Sequence, residues 1–96
     1  MASRTREGPQ EAHGEISERL ARTYERTAKV LEQSAALAEK HAERQQRAGR
    51  SEAAEDEHRT AESAREAALR AREAADRARE AAQRVRERSI PQNRSR

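Results

Sequence analysis

From Ala64 to Arg84 the chain repeats one heptad, A-R-E-A-A-x-R, three times without a slip. A period of seven with apolar residues three and four apart belongs to an α-helix that keeps one side against a neighbour, whereas a strand would alternate with period two. With Ala64 as position a, the alanines fall at a, d and e: Ala64, Ala67 and Ala68; Ala71, Ala74 and Ala75; Ala78, Ala81 and Ala82. Ala61 extends the row backward and Val85 extends it forward. Alanine at these places makes a narrow, flat seam, which another helix can approach to the low end of the usual roughly 8–10 Å spacing. The strict seven-residue period also implies a left-handed supercoil. Glutamate at c and arginine at g stand four apart, as Glu66→Arg70, Glu73→Arg77 and Glu80→Arg84. Each such pair supports the helix by about 0.2–0.5 kcal/mol.

The remaining apolar residues limit what the seam can be part of. Of the 31 apolar residues 21 are alanine, and the other ten are Met1, Ile16, Leu20, Tyr24, Val30, Leu31, Leu37, Leu69, Val85 and Ile90. A buried methyl-sized group contributes about 0.8 kcal/mol and a buried leucine about 1.5–3, while ordering the backbone costs about 1–2 kcal/mol per residue. A globular core cannot be built from this inventory. Either helices pair along alanine seams, across subunits, or the free chain is partly disordered.

A first amphipathic segment precedes the repeat. Gly8-Pro9 suits a helix start, with Pro9 in the first helical position, although His13-Gly14 weakens the opening turns. Ile16, Leu20, Tyr24, Leu31, Ala35, Ala38 and Ala42 then share one face at about 100° per residue. Between the segments, Gly49 suits the left-handed position just past a helix end. Ser51 suits an N-cap, with Glu52, Glu55, Asp56 and Glu57 close behind for the helix dipole. The expectation is helices over 9–48 and 52–88, a turn over 49–51, and disordered basic tails over 1–8 and 89–96. Charge follows the same division. Residues 9–48 carry seven bases and seven acids and residues 52–88 nine and ten, so the positive excess lies in the tails and the turn.

The expected fold is all-α: an antiparallel two-helix hairpin that dimerises into a four-helix bundle. It resembles the alanine-seamed class of antiparallel coiled coils, a packing type rather than a family. Folding at Gly49–Arg50 pairs positions whose numbers sum to about 99 to 101. Large residues of the first helix then meet small ones of the second: Ile16 with Val85, Leu20 with Ala81 and Ala82, Tyr24 with Ala75 or Ala78, and Leu31 with Ala68. The expected seam is Ile16, Leu20, Tyr24, Leu31, Ala35, Ala38, Ala61, Ala64, Ala68, Ala71, Ala75, Ala78, Ala82 and Val85. Val30, Leu37 and Leu69 are left over and are assigned to a dimer or partner contact of the helix-in-groove kind.

Little in the sequence carries reaction chemistry. With no cysteine, disulfides and thiolate metal sites are excluded. Glu55-x-x-His58 has the spacing of helical carboxylate metal sites, but those need a second such motif, and the residue three before His41 is Ala38. The hairpin brings His41 near His58 and Glu57, which reads as a solvated charge cluster. No glycine-rich loop follows a strand. No enzyme, cofactor or metal is expected.

Nucleic acid is the alternative partner. There are 19 arginines and two lysines, and the hairpin gathers Arg4, Arg6, Arg94 and Arg96 at one end. Such contacts would be non-specific and salt-dependent. Neutral helices and a single aromatic, Tyr24, weigh against it. Membrane binding is not expected, because the helix faces are alanine and zwitterionic. The composition is similar to that of helical late-embryogenesis-abundant proteins, without their eleven-residue motif. The sequence reading is therefore a self-associating cytoplasmic structural or protein-interaction module, with itself and an unidentified protein as partners.

Overall fold

Alanine, glutamate and arginine, strong helix formers, dominate both segments, and each segment forms one unbroken helix. A computed structural model describes residues 9–89, and over that span the protein is a small all-α hairpin of two helices, α1 (Pro9–Arg47) and α2 (Ser51–Ser89). Each is 39 residues long. The tail expected over 1–8 lies outside the described residues, as does 90–96; Ser89, assigned to the tail from sequence, is the last described residue of α2.

The turn is built from backbone hydrogen bonds. Gly49 has φ 77°, the left-handed region in which a side chain is strained. Its N–H donates to the carbonyl of Gln46 at 3.0 Å, and the N–H of Arg50 donates to that of Gln45 at 2.8 Å. This reciprocal pair is a Schellman ending and satisfies carbonyls that the helix end leaves open. The carbonyl of Arg50 already accepts from Ala54 N–H at 3.0 Å. Arg50 is therefore the cap of α2, and Ser51, expected as the cap, lies one residue inside the helix.

The chain divides into two compact units. Among the described residues the turn unit is Glu25–Arg72, and the tail unit is 9–24 with 73–89. In the turn unit the core is alanine on alanine. Ala28 packs with Ala68 and Ala71, and the half-buried Leu31 leans on that cluster. Ala35 and Ala38 pack with Ala61, and Ala64 joins them. Ala42 and Ala54 are also buried. In the tail unit Gly14, Ala21, Ala75 and Ala82 are buried. A Cβ placed on Gly14 would meet Val85 Cγ1 at 3.6 Å, an ordinary contact distance.

Each helix therefore buries a small residue at every seventh position: Gly14, Ala21, Ala28, Ala35 and Ala42 on α1, and Ala54, Ala61, Ala68, Ala75 and Ala82 on α2. This corrects the large-into-small pairing expected from sequence for Ile16 and Leu20, whereas Leu31 does pack on the cluster that contains Ala68. Ile16 and Leu20, placed in the seam by that expectation, are 49% and 45% exposed. Burying a row of small residues on both helices permits a close approach, and bulky side chains are then displaced to the margins.

Candidate functional site

The other expected seam positions are distributed around the alanine rows. Ala35, Ala38, Ala61, Ala68, Ala71, Ala75 and Ala82 are buried, while Tyr24, Leu31, Ala64, Ala78 and Val85 are half-buried. Sequence reasoning missed Gly14, Ala21, Ala28 and Ala54. Their signal was the unbroken seven-residue spacing of small residues on α1 and its backward continuation on α2, which a search for large apolar residues passes over.

Bordering the seam is a row of ion pairs from one helix to the other. In the turn unit Arg72 grips Glu32 with two hydrogen bonds, Nε to Oε2 at 2.9 Å and Nη2 to Oε1 at 2.7 Å. Arg65 Nη2 donates to Glu39 Oε2 at 2.8 Å, and His58 Nδ1 donates to Glu39 Oε1 at 2.8 Å. In the tail unit Arg86 pairs with Glu18. The arginines that cross between helices therefore sit at heptad position b, not at the g positions assigned to Glu→Arg pairs within the helix. A b side chain flanks the alanine row, so it is within reach of the other helix. The sequence places glutamate at 18, 25, 32 and 39 and arginine at 65, 72, 79 and 86, both in steps of seven.

These contacts set the electrostatics of the border. The hydrogen bond from Arg72 holds the Glu32 carboxyl below its ordinary value; desolvation opposes it, and the positive charges of Arg72 and Lys29 add to the lowering. Glu39 is lowered likewise, first by the hydrogen bond from Arg65 and then by that from His58. His58 is thus engaged by Glu39 rather than by Glu55, its partner in the E-x-x-H reading. His41 Nδ1 lies 3.9 Å from Glu57, near but beyond hydrogen-bond distance. Among the described residues no group of three or more His, Cys, Asp or Glu is arranged to hold a metal ion.

The remaining candidate surface is apolar. Val30, Leu37 and Leu69 are 59%, 53% and 62% exposed. Val30 and Leu37 are seven apart on α1 and so share a face. Leu69 lies on α2 and, with Ala35, Ala36 and Ala68, forms the apolar lining of an open groove that Glu32, Arg65 and Arg72 also line. Arg4, Arg6, Arg94 and Arg96, the residues assigned to nucleic-acid contact, lie outside the described residues. No described helix is long and apolar enough to cross a membrane. Comparison with protein-family models, with curated proteins and with solved structures finds no match.

Proposed function

We propose that the protein is a non-enzymatic structural or protein-interaction module of the cytoplasm, an antiparallel alanine-seamed coiled coil that associates with itself. The observation that carries this reading is the exposure of Val30, Leu37 and Leu69 on helices whose buried apolar residues are all alanine. Each buried alanine methyl contributes on the order of 0.8 kcal/mol, and a chain this small with so shallow a seam is marginal alone. Covering the larger aliphatic side chains by another copy supplies the missing burial, as in four-helix bundles made from two hairpins.

Helix content followed by circular dichroism during heating, over a hundredfold range of protein concentration, tests this reading. The expected result is a Tm that rises with concentration, because association draws the folded state forward by mass action. A helical signal with a Tm independent of concentration would show a self-sufficient hairpin and overturn self-association.

A further inference from the structure

The ion pairs between the helices also sort the charge that remains outside. In the turn unit Glu32 and Glu39 of α1 pair with Arg72 and Arg65 of α2. Once these four are set aside, the unit's part of α1 has five Lys or Arg residues and two acids, and its part of α2 has two arginines and six acids. A helix pair that is nearly neutral in sequence therefore has one basic and one acidic outer face.

The exposed aliphatics sit within these faces. The residues three and four away from Leu37 on its helix face are Gln33, Ser34, Lys40 and His41, and Arg44 follows one heptad on; none is acidic. Around Leu69 the neighbours are Arg65, Glu66, Arg72 and Glu73, with Glu62 one heptad before. Arg65 and Arg72 are held by Glu39 and Glu32, so acidic side chains define the rest of that rim. Lys40 and Glu66 each come one residue after a member of the Glu39–Arg65 pair, which turns them about 100° away from it.

We propose that α1 of one copy docks antiparallel on α2 of a second copy, with Leu37 against Leu69. This inference rests on the self-association proposed above and names the surfaces that carry it. The register that sets Leu37 on Leu69 also sets Lys40 on Glu66 and Arg44 on Glu62, because three and seven steps forward on α1 match three and seven steps back on α2. Within the turn unit the same register also sets Arg47 with Arg59, a like-charged pair. An α1–α1 contact would put basic face on basic face, and an α2–α2 contact acidic on acidic. In a pair of copies the contact is reciprocal, α1 of each meeting α2 of the other, as a two-fold arrangement requires.

Sedimentation equilibrium of the full chain at low ionic strength, where exposed charges are least screened, tests the pairing with charge reversal. One variant carries Lys40→Glu and Arg44→Glu, a second carries Glu62→Lys and Glu66→Lys, and a third carries all four. Each of the first two is expected to self-associate about tenfold more weakly than wild type, and the third to recover to within about threefold. An equimolar mixture of the first two should also associate like wild type, a readout that does not depend on how the fourfold variant folds. If neither the mixture nor the fourfold variant recovers, or if the α2 variant associates like wild type, the α1–α2 pairing is overturned while self-association stands. A wild-type chain that stays monomeric throughout overturns both.

Discussion

The turn unit and the tail unit bury the same kind of residue at the same spacing, yet they hold their helices together differently. In the turn unit the chain itself joins the helices through a Schellman ending, two alanine clusters fill the space between them, and Glu39 accepts from both His58 and Arg65. The tail unit has Gly14 where the turn unit has alanine, and it leaves Ile16 and Leu20 about half exposed. Its α2 segment, 73–89, has a near-balance of charge rather than an acidic surface. The lesson is that a heptad row of small residues aligns two helices but does not by itself supply much stability. Connection and the size of the small residue distinguish the two units, since a crossing ion pair, Arg86–Glu18, is present in the tail unit as well.

The largest effect should come from filling the seam. Ala61 in the turn unit and Ala82 in the tail unit are both fully buried, and leucine at either site has no space without forcing the helices apart. Ala61→Leu is expected to cost about 1–3 kcal/mol through overpacking. Ala82→Leu should cost less, because the end remote from the turn can separate locally. Chemical denaturation of the two variants measures the difference, and equal losses would make the units equally rigid.

Glycine offers a test with opposite signs in the two units. Gly49→Ala forces a side chain into the left-handed region and should lower stability by about 1–2 kcal/mol. Gly14→Ala should raise it by about 0.8–1 kcal/mol, since alanine is the better helix former and its methyl would reach Val85 at normal contact distance. If thermal melts show Gly14→Ala to be destabilising, the close packing of α1 on Val85 is wrong.

The smallest effect is electrostatic. Glu32 and Glu39 have pKa values lowered by their arginine partners in the folded state, so folding favours their ionised forms. Their stabilisation is present above the ordinary carboxylate pKa and is lost as pH falls through the lowered folded values. Both groups are partly solvated, which keeps the effect small. Glu39→Gln should flatten the acid side of the stability profile more than Glu43→Gln does. Identical profiles for the two variants would remove the Glu39 cluster from the account.

Much of this architecture was legible in the chain. The A-R-E-A-A-x-R repeat required a helix with an alanine side, and Gly49 marked where it would be interrupted, since left-handed backbone at a helix end favours glycine. The site was less legible. Ile16 and Leu20 read as seam residues because large apolar side chains contribute most on burial, and the E-x-x-H spacing drew His58 toward Glu55. In the folded protein, alanine-on-alanine approach left Ile16 and Leu20 half exposed, and Glu39 of the other helix captured His58.

What the sequence by itself determined is period and polarity: two helices, the break between them, and rows of small, acidic and basic residues recurring every seven places. These are local consequences of backbone geometry and residue type. Only the tertiary structure decided which row faces inward and which glutamate meets which arginine. Those outcomes depend on how closely and in what register two helices touch. Several registers keep alanine facing alanine, and the choice among them is made by contacts between residues far apart in the chain.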